Sequence, residues 1–155
     1  MMFDPQDAAF YEQHAPDFVR FASALVGPAA AEDLVADTVV RVVRSPGWRN
    51  ATNRRAYAYR AMVNEARQLD RADRRRLARE RRVGSWPTDA PSTALRPAIT
   101  RAMRALSARQ RGVVFMTFWL DQPTDEIAST LGVSTRTVQR DLDSALRTMG
   151  RFLDD

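Results

Sequence analysis

Apolar residues recur at three- and four-residue spacings along most of the chain, which predicts α-helices, and no segment alternates as a strand would. Asp4-Pro5 predicts the start of a first helix, because an aspartate cap and a proline at the first position leave no needed donor unmet. Gly27-Pro28 predicts its end, and a second helix is predicted at residues 29–44, before Ser45-Pro46-Gly47. The predicted inward positions of these two helices are Phe10, Phe18, Phe21, Leu25, Leu34, Val35, Val39, Val42 and Val43.

Turn-forming residues divide the rest of the chain. Residues 48–53 predict a loop, in which Asn53 is the N-cap of a long helix at residues 54–82. Residues 83–97 are rich in Pro, Gly, Ser and Thr, which is typical of a flexible linker. A helix is predicted at residues 98–106, and Ser107 with Gln110 predicts a capping box that starts another.

Residues 124–150 carry the pattern of a helix-turn-helix. Thr124 is predicted to cap a short helix, and Gly132 supplies the left-handed residue that ends it. Ser134 is predicted to cap a second helix, whose inward stripe comprises Val138, Leu142, Ala145, Leu146 and Met149. Such a helix presents polar side chains to a major groove, and those predicted outward are Thr135, Arg136, Gln139 and Arg140. A plain helical hairpin is the alternative.

The predicted fold class is therefore all-α, with two small helical domains joined by a flexible linker. The first domain, residues 1–82, is expected to be a bundle of three to four helices. The linker is residues 83–97, and residues 98–155 form the helix-turn-helix domain.

Composition limits the chemistry that the chain can perform. It has no cysteine and a single histidine, His14, which excludes disulfides, thiolate zinc sites, histidine metal clusters and Ser-His triads. No apolar run approaches the ~18 residues of a membrane span, and no signal peptide opens the chain. We therefore expect a soluble, cytoplasmic protein with no catalytic residue, no cofactor and no metal.

Charge is unevenly distributed along the chain. Residues 44–82 contain thirteen arginines and four acids, a net charge of +9, whereas residues 1–43 carry −5 and residues 124–155 carry −2. The basic block predicts an anionic partner. All 24 basic residues are arginine, and alanine also occurs 24 times. This bias indicates a GC-rich, actinobacterial-like source.

The C-terminal segment from Leu106 to Met149 resembles the promoter-binding domain of bacterial sigma factors, and in particular the extracytoplasmic-function (ECF) subfamily. The matching positions are Leu106, Arg109, Gln110, Arg111, Glu126-Ile127-Ala128, Gly132-Val133-Ser134 and Thr137-Val138. Independently, FVRFASALVG and AEDLVADTVVRVVR are similar to the first two helices of the sigma promoter-melting domain, and RRAYAYRAMVNEARQLDRADRRR is similar to its third. The two resemblances cover residues 10–82 and 97–152.

The resemblance implies that the second helix docks on the clamp helices of the largest polymerase subunit, and that the second-largest subunit contacts the chain through its flap. The implied core-binding residues are Asp33, Leu34, Asp37, Arg41 and Arg44. The alternative is that Asp33 and Asp37 form a solvated acidic face that pairs with Arg41 along the helix.

The resemblance also implies that a base of the downstream promoter element is extruded from the DNA and captured. The positions implied in capture and melting are Trp48, Arg49, Asn50, Thr52, Asn53, Arg54, Arg60, Asn64, Arg67, Arg71, Arg74 and Arg75, with Arg55 and Arg76 among the arginines that would hold the backbone. The alternatives are a core anchor for Trp48, a side-chain bond to a neighbouring loop for Asn64, and a solvated face for some of the arginines.

For the upstream element, the implied residues are Arg111, Thr124, Ser134, Thr135, Arg136, Thr137, Gln139 and Arg140. Asp141 and Asp143 stand where basic or neutral residues are usual in the subfamily. They predict weak duplex binding by this domain alone.

These expectations describe an ECF sigma factor. Its partners would be core RNA polymerase and promoter DNA, double-stranded upstream and single-stranded downstream. Anti-sigma factors, which mask the polymerase-binding faces, are common partners in the family, and no membrane insertion is expected. Two alternatives are an autonomous helix-turn-helix regulator that binds duplex operator DNA and a nuclease that uses Asp and Glu as metal ligands. Duplex binding without polymerase would favour the regulator, and metal-dependent cleavage of DNA would favour the nuclease.

Overall fold

The computed structural model describes residues 3–80 and 96–153, with side chains for residues 3–76 and 98–153. Within these ranges the secondary structure is entirely α-helical, as the periodicity predicts. The helices are α1 Pro5–Val26, α2 Pro28–Val43, α3 Pro46–Asn50, α4 Arg54–Glu80, α5 Arg96–Arg104, α6 Ala108–Phe118, α7 Thr124–Leu131 and α8 Thr135–Leu153. We call α1–α4 the N-terminal unit and α5–α8 the C-terminal unit.

Four helices begin at a side-chain cap, namely α1, α4, α6 and α8. Asp4 Oδ1 accepts a hydrogen bond of 2.8 Å from Gln6 N, which fixes the start of α1. The capping box of α6 forms in both directions, at 3.2 Å from Gln110 N to Ser107 Oγ and at 2.9 Å from Ser107 N to Gln110 Oε1. Asn53 Oδ1 accepts from Ala56 N at 3.0 Å, which confirms its predicted cap on α4.

Three boundaries differ from the predictions. The segment predicted as a loop from residue 48 contains the short helix α3, because Pro46 is pre-organised for a first helical position and Trp48 is buried. Thr124 is the first residue of α7 rather than its cap, since the carbonyl of Pro123 accepts from Ile127 N. Helix α5 already begins at residue 96, so residues 96 and 97 are not linker; residues 81–95 lie outside the described ranges.

The N-terminal unit is built around aromatic and aliphatic side chains of α1, α2 and α4. Phe18 and Phe21 are at most 1% exposed and both meet the ring of Tyr59 edge-on, at centroid distances of 5.3 and 4.8 Å. The predicted inward positions of α1 and α2 are buried or half-buried. In α8, by contrast, Leu146 is 44% exposed, so the predicted stripe is too wide by one position.

The two units share one hydrophobic core, which the predicted pair of independent domains did not include. Helix α6 packs on α1 and α4, and α7 also packs on α4. The rings of Phe21 in α1 and Phe115 in α6 stack at 5.4 Å. No helix in the described part of the chain is both long and apolar enough to cross a bilayer.

Candidate nucleic-acid interface

Helix α2 presents an acidic face. Asp33 and Asp37 are exposed, and neither makes an ion pair with the part of the chain that the structure describes. Arg41 instead forms an ion pair with Glu65 of α4, and this hydrogen bond and charge raise the pKa of Arg41 above its ordinary value. The charge of Asp37 contributes less to that rise, so the principal partner of Arg41 is Glu65 of α4 rather than an acid of α2. Arg44 is exposed at the end of α2.

Leu34 corrects one sequence prediction. It is 3% exposed and belongs to the hydrophobic core. Its side chain therefore packs α2 on the rest of the N-terminal unit and is not on the surface where polymerase would bind. Asp33 and Asp37, by contrast, are exposed on the same helix.

Trp48 is also part of the core, with 2% exposure. Its indole Nε1 donates to Asp7 Oδ1 at 2.8 Å, and its ring meets Phe10 edge-on at 5.2 Å. The Arg54 guanidinium lies 5.3 Å from the ring centroid and 3.7 Å from the Asp7 carboxylate. The ring has no free face for an extruded base, which agrees with the alternative role of Trp48 as a core anchor. Its position holds the following loop.

The segment after Trp48 is exposed. Arg49, Asn50, Thr52 and Asn53 all present surface to solvent, although the carbonyl of the Asn53 amide is occupied by its cap on α4. A cavity of about 650 Å³ lies on the α1 side of this segment, and its lining includes Asp7, Arg44, Arg49 and Asn50.

A second cavity, of about 460 Å³, lies between the end of α2 and α4. We call it the Asn64 cleft, and its lining residues are Arg41, Val42, Ser45, Tyr57, Arg60, Ala61, Asn64, Glu65 and Gln68. Arg60, Asn64 and Gln68 are four residues apart on α4, and all three are exposed. Ser45 Oγ and the Tyr57 hydroxyl are 2.9 Å apart in the lining. The cleft therefore offers amide and guanidinium groups that suit the edge of a base.

Beyond the cleft, α4 carries a basic face. Its exposed arginines include Arg60, Arg67, Arg71, Arg74, Arg75 and Arg76. Two arginines that were predicted to contact DNA are not part of this face. The Arg54 guanidinium lies over the ring of Trp48, and that of Arg55 lies 5.3 Å from the centroid of the Tyr59 ring. Burial raises the pKa of Tyr59. Arg54 and Arg55 are thus half-buried structural arginines.

The C-terminal unit contains the predicted helix-turn-helix. Gly132 adopts the left-handed conformation, with φ 69° and ψ 34°, between α7 and α8. Ser134 Oγ accepts from Thr137 N at 3.1 Å and so caps α8, as predicted. The residues predicted to face outward, Thr135, Arg136, Gln139 and Arg140, are all exposed.

Arg111 does not join this surface. It is 3% exposed, donates from Nη1 to the Leu25 carbonyl at 2.7 Å and from Nε to the Met103 carbonyl at 3.0 Å, and lies 3.3 Å from the Asp70 carboxylate. Burial lowers the pKa of Arg111, and the Asp70 charge opposes that shift. Its predicted contact with DNA is incompatible with this placement.

The acids of α8 fall into two kinds. Asp141 is 8% exposed and accepts from Arg109 Nε at 2.6 Å, whereas Asp143 is exposed. Because the charge of Asp141 is paired with Arg109, only the exposed Asp143 is placed to repel phosphates. The prediction that Asp141 also weakens DNA binding is therefore corrected.

Several residues of the site were not predicted from the sequence. Gln68 could have been found, because it follows Arg60 and Asn64 at the same four-residue helical spacing. Asp7 and Glu65 could not, because their partners Trp48 and Arg41 are 41 and 24 residues away. Pairing over that distance is decided by how the helices pack.

Comparison with known proteins identifies these two units. Residues 10–79 match Sigma-70 region 2, and residues 96–149 match Sigma-70, region 4. The ECF RNA polymerase sigma factor SigL of Mycobacterium tuberculosis is 33% identical over 159 residues, which cover 95% of this chain and 88% of SigL. The RNA polymerase sigma-E factor of Streptomyces antibioticus is 29% identical over 136 residues, which cover 82% and 72% of the two chains.

Among solved structures, the sigma factor RpoE of Bartonella quintana, in complex with the anti-sigma factor NepR, has the same fold. Its TM-score is 0.67 at 21% identity, over 94% of this chain and 97% of that chain. Two helical units in this order define a protein of the sigma-70 class. The chain belongs to the ECF family of RNA polymerase sigma factors. It therefore binds core RNA polymerase, directs it to promoters and promotes the DNA melting that starts transcription.

Proposed function

We propose a division of labour among three surfaces of this sigma factor. The exposed acidic face of α2, with Asp33 and Asp37, binds core polymerase together with Arg41 and Arg44. The Asn64 cleft and the basic face of α4 bind the downstream promoter element, and the start of α8 reads the upstream element. The observation that carries this proposal is that an acidic and a basic face lie on adjacent packed helices, α2 and α4, so that one small unit serves two partners of different charge.

Capture of a base in the Asn64 cleft accounts for melting. Extruding a base costs a few kcal/mol, which hydrogen bonds to its edge can offset. Asn64 and Gln68 each offer a carbonyl oxygen and an amide NH₂ in the lining of this cleft, and Arg60 adds donors. Trp48 contributes by holding that segment in place through its bond to Asp7.

The exposed arginines of α4 bind the phosphates at the junction between duplex and single strand. These arginines form a contiguous positive face, which comprises Arg67, Arg71, Arg74 and Arg75. Their contacts with phosphates do not depend on the base sequence of the DNA. Each phosphate contact adds a salt-sensitive contribution to affinity. Sequence readout is thereby left to the cleft and to α8.

The start of α8 binds the upstream duplex. Arg136, Gln139 and Arg140 are exposed on the first two turns of α8, and Thr135 stands at its N-terminus, where helix polarity favours a phosphate. Ser134 and Thr137 are bonded to each other at 2.9 Å and orient this end of the helix.

The remaining assignments follow from this function. The N-terminal domain comprises residues 1–82, the linker residues 83–95, and the C-terminal domain residues 96–155. The protein supplies no catalytic group or cofactor of its own, since the polymerase performs the reaction, and it acts in the cytoplasm of a bacterium with a GC-rich genome. An anti-sigma factor that covers the acidic face of α2 regulates it; RpoE of Bartonella quintana, a protein of the same fold, forms a complex with such a factor.

Run-off transcription tests the proposal. Core polymerase from a GC-rich bacterium is incubated with a fragmented genomic library, with and without the protein. Discrete new transcripts that are lost with the double variant Asn64→Ala/Gln68→Ala support the assignment of the cleft. Duplex DNA binding without polymerase, together with an absence of transcripts, would favour the autonomous regulator.

A further inference from the structure

Glu65 is the only acid among the described residues that line the Asn64 cleft. Its side chain is 15% exposed, so the carboxylate lies in the wall of the cleft rather than free in solvent. The DNA strand that delivers an extruded base carries a negative phosphate at every nucleotide. An uncompensated carboxylate at this position would therefore repel the strand that the cleft is proposed to receive.

Helix α4 itself offers Glu65 no cation to compensate this charge. Side chains on a helix meet at spacings of three and four residues, and those positions hold the uncharged Ala61, Met62, Gln68 and Leu69. Arg60 also lines the cleft, but it precedes Glu65 by five residues and so lies about 140° away around the helix axis. Compensation therefore has to come from another element.

Helix α2 supplies the cation from the other wall of the cleft. Arg41 Nη1 donates to Glu65 Oε2, and both residues belong to the lining. Asp37 precedes Arg41 by four residues on α2, a spacing at which side chains can pair, yet the guanidinium bonds the carboxylate on α4. The Arg41 side chain is 60% exposed, so the guanidinium lies on the solvent side of the pair and covers the Glu65 carboxylate.

We propose that Arg41 is a positioning residue for promoter melting: by pairing with Glu65 it cancels the negative charge in the wall of the Asn64 cleft and so allows the DNA strand to enter. The proposal rests on the proposed role of the cleft in base capture, and it gives Arg41 a task there in addition to polymerase binding. Arg41 acts through Glu65 in this role and needs no contact of its own with DNA.

Two substitutions break the pair from opposite sides and differ in the charge that they leave in the cleft. Arg41→Ala leaves the Glu65 carboxylate without its partner, whereas Glu65→Gln removes that charge and keeps the shape of the side chain. The double variant Arg41→Ala/Glu65→Gln also leaves no charge there. Arg20→Ala is the control for loss of an arginine, because Arg20 is exposed on α1 and lies 3.9 Å from Asp17 in an exposed pair.

Promoter opening is measured with holoenzyme on a promoter identified by run-off transcription, through the permanganate reactivity of unpaired thymines. A binding titration first gives the affinity of each variant for core polymerase, and opening is then compared at a core concentration that saturates every variant. Saturation removes the contribution of Arg41 to polymerase binding from the comparison. Chemical denaturation of each variant separates a loss of folding from a loss of opening.

Arg41→Ala is expected to lower opening about tenfold, the effect of one uncompensated like charge at a partly screened position. Glu65→Gln, the double variant and the control should open the promoter as the wild type does. The ratio of opening by the wild type to opening by Arg41→Ala should fall as the salt concentration rises, because salt screens the repulsion between the carboxylate and the strand.

Equal losses of opening in Arg41→Ala and Glu65→Gln would overturn the proposal, because the pair would then matter for joining α2 to α4 and not for the charge of the cleft. Equal losses in Arg41→Ala and in the double variant would overturn it too, since Arg41 would then act independently of Glu65. Normal opening by Arg41→Ala would show that the charge of Glu65 needs no compensation.

The variant Asn64→Ala/Gln68→Ala, included in the same experiment, tests the proposed function separately. Normal opening by this variant would remove the cleft from base capture and the role of Arg41 with it. Impaired opening by this variant, together with normal opening by Arg41→Ala, would keep the cleft as the capture site and overturn the role of Arg41 alone. The two failures are therefore distinguishable.

Discussion

The carboxylate of Asp141 in α8 accepts a hydrogen bond of 2.6 Å from Nε of Arg109 in α6, and a second contact joins Arg109 Nη2 to Asp141 Oδ1 at 3.4 Å. Next to this ion pair, Gln110 Nε2 donates to Ser144 Oγ at 3.2 Å. These contacts join α8, the second helix of the helix-turn-helix, to α6, the helix that precedes the motif. An acidic residue that in the sequence suggests repulsion of DNA thus has a structural role.

Asp141→Asn is expected to destabilise the protein. The substitution removes the negative charge opposite the half-buried Arg109 guanidinium and one of its two acceptor oxygens, at a cost of about 1–3 kcal/mol. Chemical denaturation measures the free energy of unfolding. The control is Asp143→Asn on the exposed side of α8, which should change stability by less than about 0.5 kcal/mol. Equal effects of the two substitutions would contradict the role of Asp141.

Trp48→Phe is expected to lower stability while leaving promoter preference unchanged. Phenylalanine cannot donate to Asp7, whose carboxylate is then left half-buried with the guanidinium of Arg54 alone, and the loss is about 1–3 kcal/mol. Trp119→Phe is the control, since Trp119 is 71% exposed and should tolerate the same change. A change in the preferred downstream sequence with no loss of stability would show that the indole contacts a base.

Asn64→Ala is expected to impair open-complex formation without weakening the complex with core polymerase. Loss of one well-placed contact to a base edge is worth about 1–3 kcal/mol, which lowers promoter opening by a factor of about 5 to 150. Permanganate reactivity of unpaired thymines measures opening, and a binding titration measures the affinity for the core enzyme. Gln13→Ala, on the exposed face of α1, is the control and should open promoters normally. Normal opening by Asn64→Ala would remove Asn64 from the capture site.

Asp37→Arg is expected to weaken binding to core polymerase about tenfold or more, because it reverses a charge in the exposed acidic face of α2. Glu32→Arg makes the same change of charge on the same helix, about 140° away around its axis, and should have a smaller effect. Both variants should fold normally, since both positions are exposed. Dissociation constants that differ little between the two variants would place the polymerase contact elsewhere.

Local features of the sequence were sufficient for most of the fold. The caps at Ser107 and Ser134 and the left-handed Gly132 each depend on residues within a few positions of one another. The same is true of the exposed start of α8, because helical periodicity and the position of Val138 decide which side chains face outward. The sequence alone thus determined the all-helical fold, the helix-turn-helix and the charge of each surface.

The tertiary structure decided which side chains were available. The resemblance in sequence implies contacts with polymerase or DNA for Trp48, Leu34 and Arg111, yet all three are at most 3% exposed. Their burial depends on partners such as Asp7 and Leu25, which lie 41 and 86 residues from Trp48 and Arg111. No periodicity within one helix encodes such pairings.

The packing of the two units is a property of the tertiary structure for the same reason. In the sequence, Gly112 is only a glycine within a predicted helix. The structure shows that Val63 and Phe21 of the N-terminal unit pack so close to it that they leave little room for a side chain. Short-range rules fix where helices begin, end and turn their apolar faces, because capping and periodicity act over a few residues. Contacts between helices far apart in the chain depend on side-chain shape and on the pairing of buried polar groups, and only the folded molecule brings those together.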